Sequence, residues 1–156
     1  MSQRFLVTRR LALLSVAAAS LSPCAAWAAR WPLITVHKDP NCGCCSGWVD
    51  HLKLSGFEVN AIETTAVNRV KARLRVPNEL VSCHTAEVGG YVVEGHVPAA
   101  AIERLLTERP KAQGLAVPGM PSGSPGMDGE PEEYEVILFG PDGRSVYGKF
   151  KGEKQI

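Results

Sequence analysis

Three cysteines crowd into Cys42-Gly43-Cys44-Cys45, and a fourth follows in Ser82-Cys83-His84. Thiolate is the nucleophile of disulfide chemistry and a soft metal ligand, so this set admits two kinds of chemistry. Four converging thiols would suit copper or another thiophilic metal. The same four could instead form two disulfides, in any of three connectivities. Plain cross-linking fits the spacing poorly: the adjacent Cys44 and Cys45 could pair only under strain, and a triplet spreads few staples over the chain. Zinc accepts four cysteines, but its usual structural pattern is two well-separated pairs. One copper(I) ion on four thiolates would carry a net charge of −3, whereas four such ions would neutralise the four ligands. Charge therefore favours several copper(I) ions bridged by thiolates, provided the sulfurs meet. Cys42-x-x-Cys45 also keeps a metal-free thiol–disulfide oxidoreductase open, with Cys44 or Cys83 as the resolving thiol.

Other candidate donors flank these cysteines. His84 adjoins Cys83, and His96 lies in Glu94-Gly95-His96-Val97-Pro98 just before an expected helix. Imidazole serves copper in either oxidation state, so both are candidate ligands or ligand supports. Met120 and Met127 offer thioether sulfur from a Gly- and Pro-rich loop, and thioether suits copper(I). The plainer reading of a single Met is a hydrophobic filler. His37 and His51 read as structural or exposed, and Trp48 and Tyr91 as core.

The elements that must position these groups are legible in outline. Leu33–His37 is a short β-prone run stopped by Asp39-Pro40-Asn41, directly ahead of the cysteine triplet. Trp48, Leu52 and Leu54 then fall on one face of a helix ended by Gly56, and Phe57–Ile62 alternates as a second strand. Thr64 or Thr65 can cap a helix carrying Val67, Val70 and Leu74, within which Arg69 to Arg75 form a basic, solvated face. This order predicts a parallel strand pair with a crossover helix. The triplet then sits at the helix N-terminus, where free N–H groups and the macrodipole favour thiolate.

Further on, Gly89-Gly90 precedes a strand at Tyr91–Glu94, and Pro98 opens a helix with Ile102, Leu105 and Leu106. Lys111 to Pro131 reads as a long loop, and Tyr134–Phe139 with Ser145–Phe150 as a hairpin around Gly140–Gly143. The whole predicts an α/β fold, a small thioredoxin-like sandwich with a C-terminal hairpin.

The N-terminus reads as an export signal: Arg4, Arg9 and Arg10, the apolar run Leu11–Leu21, and a cleavage site at Ala26-Trp27-Ala28. The apolar run is well short of the ~20 residues that span a bilayer, so no retained membrane anchor is expected. Thr8-Arg9-Arg10-Leu11 hints at twin-arginine export, with ordinary secretion as the alternative, and Cys24 leaves with the signal. Residues 1–28 are thus read as signal peptide and 29–156 as one domain. Removing three Arg leaves 14 basic against 16 acidic residues, a net charge near −2, with no basic surface for nucleic acid.

Taken in order, several motifs resemble a known family. They are Asn41-Cys42-Gly43-Cys44-Cys45 with Trp48, Ser82-Cys83-His84-Thr85, Gly90-Tyr91, Glu94-Gly95-His96-Val97-Pro98, Pro118-Gly119-Met120-Pro121 and Ser124-Pro125-Gly126-Met127. Together they look like the CopG-type periplasmic copper-resistance proteins, over about Val36 to Met127. The resemblance implies a thioredoxin-like fold and a role in copper handling in the bacterial envelope. It implies a multinuclear copper cluster on Cys42, Cys44, Cys45 and Cys83. His84, His96, Met120 and Met127 match motifs of less defined role. It also implies interconversion of copper(I) and copper(II), or transfer of copper to other periplasmic copper-handling proteins. A non-catalytic copper chaperone is the third reading, and whether the chain is an enzyme stays open on sequence grounds.

Overall fold

A computed structural model describes residues 30–156. The expected signal peptide and its cleavage site lie outside the described residues. One eight-stranded sheet organises the chain, in the order β2-β1-β3-β4-β5-β6-β7-β8. Its strands are β1 (Ile34–Lys38), β2 (Val59–Glu63), β3 (Thr85–Val88), β4 (Tyr91–Glu94), β5 (Gly114–Ala116), β6 (Glu133–Gly140), β7 (Gly143–Lys151) and β8 (Lys154–Gln155). Among the described residues three α-helices accompany them: α1 (Gly43–Leu54), α2 (Val67–Arg73) and α3 (Ala99–Glu108).

β1 and β2 pair in parallel across α1, as the sequence predicts. β3 and β4 are antiparallel, with Thr85 opposite Glu94, and β4 pairs in parallel with β5. Side chains alternate between the two faces of a strand, and the alternation here sorts two cores. Ile34, Val36, Ala86, Val88, Val93 and Leu115 join Trp48, Val49 and Leu52 of α1 and Ile102, Leu105 and Leu106 of α3 in the main core. On the other face, Val92, Ala116 and Phe139 pack with Val76 and Leu80. Lys71 of α2 reaches Thr85 and Glu94, so α2 also belongs to this second face. With both faces covered, all four residues of β4 are buried.

The structure departs from the sequence reading in several places. Leu54, expected on the buried stripe of α1, is 90 % exposed, because it falls in the final turn beyond the sheet-facing Trp48, Val49 and Leu52. Thr64 does not cap α2. Its hydroxyl accepts the Ala66 N–H at 3.1 Å, and Ala66 is the cap residue. Lys71 leaves the expected solvated face: it is only 5 % exposed, because it follows Val67 by one helical turn and shares its buried side. The stretch read as one long loop contains β5, whose Gly114 passes so close to the Val92 backbone that any Cβ would overlap it. β3 was also unmarked in the sequence. The hairpin of β6 and β7 forms as expected, turning between Gly140 and Gly143 with a bulge at Val136/Ile137.

Candidate metal centre

Asp39 prepares the site by closing the turn that follows β1. Its carboxylate accepts the Asn41 N–H at 2.9 Å, and its carbonyl accepts the Cys42 N–H at 3.1 Å. Cys42 becomes the N-cap of α1, so Cys44 and Cys45 lie inside the first helical turn, not ahead of it. The N–H groups of that turn have no partner within the helix, which gives the sulfurs a locally positive setting.

The four cysteine sulfurs converge. One ligand atom from each of Cys42, Cys44, Cys45 and Cys83 lies within 4.8 Å of all the others. Cys42 and Cys45 are joined as a disulfide, with Cα atoms 5.3 Å apart, whereas Cys44 and Cys83 are free thiols. Cys44 Sγ lies 3.5 Å from Cys42 Sγ. Cys45 is fully buried, and the other three are partly exposed.

Cys83 belongs to a second donor group as well, with His84 and His96. Its sulfur is 3.2 Å from His84 Nδ1 and 3.1 Å from His96 Nε2. The proton positions follow from the partners. His96 Nδ1 lies 2.7 Å from the Pro125 carbonyl, which only accepts, so Nδ1 carries the proton. Burial lowers the His96 pKa, which leaves the ring neutral with its Nε2 lone pair toward the Cys83 S–H. The single thiol proton is thereby used, so His84 Nδ1 donates to the sulfur. His84 Nε2, fully buried, is then a lone pair without a partner.

Burial, followed by the neighbouring His96 and Lys71, holds the His84 pKa well below its ordinary value. Burial and then Cys44 push the Cys83 thiol up to about 11. A bound cation reverses that balance, because a coordinating thiol gives up its proton.

Aromatic and loop contacts enclose the two histidines. The Trp48 ring lies 4.3 Å from that of His84, and its indole N–H donates to the Val97 carbonyl at 2.8 Å. The Met-containing loop is ordered by its own bonds. Ser124 Oγ donates to the Pro121 carbonyl at 2.7 Å, and the Met127 N–H to the Ser124 carbonyl at 2.8 Å. Gly126, at φ +85°, leans on α1 so closely that a Cβ would stand 2.4 Å from the Trp48 backbone nitrogen and 2.6 Å from the Cys44 carbonyl oxygen. This contact delivers Pro125 to His96.

Of the eight candidate donors, the four cysteines and two histidines are thus brought together. The methionines come from the loop beside that group. Met120 is 56 % exposed and shares with Val81, Ser82, Cys83 and Gly119 a cavity of about 250 Å³. Met127 is half-buried within its turn. His37 lies on the outer part of the sheet, 3.6 Å from Glu87, and His51 bonds Glu153 and the Ala99 N–H.

Sequence reasoning missed the support beneath the site: Lys71, Glu94, Thr85 and the Pro125 carbonyl. For Lys71 and Glu94 the signal was available, since each occupies a buried register position among apolar neighbours.

An α/β scaffold carrying converging thiols and neutral imidazoles defines a thiol-rich centre suited to soft metals. Comparison with known proteins then sets its kinship. Residues 80–127 match the family described as protein of unknown function, DUF411. Two solved structures named copper resistance protein CopG, forms 1 and 2, are each 45 % identical to this chain. Form 1 superposes with a TM-score of 0.73 over 78 % of this chain and 99 % of its own. Form 2 gives 0.72, over 76 % and 98 %. No curated protein matches the chain. This chain belongs to the CopG-type copper-resistance family.

Proposed function

We propose that this is a copper-binding protein of the bacterial periplasm, acting in copper resistance. Once Cys42–Cys45 is reduced, Cys42, Cys44, Cys45 and Cys83 hold several copper(I) ions as a bridged thiolate cluster. The carrying observation is the convergence of all four sulfurs within 4.8 Å, although Cys83 lies 38 positions beyond Cys45. Thiolate softness and charge balance both support copper(I) there. His96 Nε2 and the Cys83 sulfur face the same space, so loss of the thiol proton would leave an N,S donor pair at one end of the cluster. Such a pair also suits copper(II), which supports interconversion of the two oxidation states at this centre. Met120 and Met127 are proposed as auxiliary thioether donors from the loop. The β1-α1-β2 unit, with its CxxC at the helix start, supports a thioredoxin-like reading of this half of the fold.

Cys83→Ser tests the proposal by removing the one cysteine sulfur supplied from outside the Cys42–Cys45 motif. Competition with a chromogenic copper(I) chelator, under anaerobic reducing conditions, should show at least a tenfold loss of affinity and fewer coppers per chain. Unchanged affinity and stoichiometry would defeat it.

A second reading has its own support in the Cys42–Cys45 disulfide, which lies across a helix N-terminus as a dithiol redox pair does. A metal-free oxidoreductase would reduce insulin disulfides with turnover in the presence of a chelator. An inert chelated protein disposes of it. A chaperone that only stores or delivers copper would bind and transfer copper(I) without changing its valence, which a copper(II)-reduction assay separates from redox activity.

A further inference from the structure

Beneath the donor residues lies a closed ring of buried polar groups that the cluster chemistry does not use. Glu94 is fully buried, Thr85 is fully buried, and Lys71 is 5 % exposed. Lys71 Nζ donates to Glu94 Oε1 at 2.6 Å and to Thr85 Oγ1 at 2.8 Å. The Thr85 hydroxyl donates in turn to Glu94 Oε2 at 2.6 Å. The same carboxylate, through Oε1, accepts the Ser82 N–H at 2.6 Å.

The residues this ring grips are Ser82 and Thr85, and the two between them are Cys83 and His84. Glu94 itself stands two residues before His96. Segment 81–84 is neither helix nor strand, since β3 begins only at Thr85. No ladder therefore fixes the turn that carries Cys83. Besides the ring, it is tied by the Gly95 N–H to the His84 carbonyl at 3.1 Å and by the Ser82 hydroxyl to the Gly119 carbonyl.

An ion pair so buried gains little net stability over apolar residues of similar volume, because desolvation offsets the attraction. Positional definition is the better account of its presence here. We infer that Lys71, Thr85 and Glu94 are positioning residues for the metal centre, fixing the turn at Cys83-His84 against His96 and the α1 cysteines. This inference rests on the copper reading above. The ring makes no hydrogen bond to a candidate donor atom; it holds the backbone on either side of Cys83, and the Lys71 charge lies near His84.

The test compares the wild-type chain with Lys71→Met/Glu94→Leu, which replaces the ion pair by apolar volume, and with Thr85→Val, which removes only the ring hydroxyl. Circular dichroism and thermal melts establish folding. Copper(I) affinity is read by chelator competition, and the sulfur and nitrogen neighbours of copper by X-ray absorption. The double variant is expected to bind copper(I) at least tenfold more weakly, with a smaller share of Cys83 sulfur and His96 nitrogen. Thr85→Val should lose about three- to tenfold.

A purely structural ring would lower the melting temperature and leave the neighbours of copper unchanged, which overturns the inference. Folded Thr85→Val with affinity within twofold of wild type overturns it too, even if the double variant fails to fold. A wild-type chain that takes up no copper defeats the copper reading instead, so the two failures are distinguishable.

Discussion

Cys83 is where two donor sets meet: it completes the sulfur group with the α1 cysteines and lies within hydrogen-bond reach of two imidazoles. Its raised pKa and the lowered values of His84 and His96 share one principal cause, burial, and all three changes favour the neutral form. The sign for stability follows. Below the ordinary histidine pKa the unfolded chain binds protons that the folded His84 and His96 refuse, so the protein loses stability as pH falls from about 6.5. Both histidines contribute to that slope in the same direction. Denaturant midpoints of chelator-treated protein between pH 7.5 and 5 should fall steeply, and the fall should shrink in His84→Asn. A flat profile would contradict the neutral-histidine assignment. These donors were legible as residue types in the sequence. Their protonation was not, because it depends on the Pro125 carbonyl, supplied from 29 residues away along the chain.

At the scale of elements, α1 and the loop that follows β5 form the two jaws around the histidines. Helix and strand periodicity located α1, β1, β2, β4 and α3, since each has enough apolar residues at its own period. β5 escaped because its three residues sit among Gly and Pro. Lys71 was misplaced because a basic run suggests solvent, while only the register with Val67 reveals its buried side. Gly126 shows how closely the jaws approach. Gly126→Ala adds a methyl group against the Trp48 backbone nitrogen and the Cys44 carbonyl at a residue with positive φ. A cost of roughly 2–4 kcal/mol is expected from the left-handed backbone and the overpacking together. Urea unfolding should show that loss, and the nitrogen NMR signals of His96 should change as Pro125 is displaced. Stability within 0.5 kcal/mol of wild type, about the size of an ordinary surface substitution, would contradict this packing account.

Across the whole molecule, the sheet brings together segments that the sequence keeps far apart: the triplet after β1, Cys83 before β3, and His96 after β4. Which strands pair is a tertiary property, so the convergence could be required by the chemistry but not read from spacing. A ligand that binds only the assembled site stabilises the fold by mass action, about 4 kcal/mol at a thousandfold excess over its dissociation constant. Copper(I) loading of the reduced protein should therefore raise its melting temperature by roughly 10 °C or more, and a strong copper(I) chelator should reverse the rise. An unchanged melting temperature would mean that copper does not select the folded state. The most direct test of the central claim is the copper content of wild-type protein, reduced and loaded anaerobically and then freed of loosely held metal. Several copper(I) ions per chain, with sulfur neighbours and a copper–copper distance in the X-ray absorption spectrum, are the predicted result. At most background copper, or a single isolated ion, would contradict it.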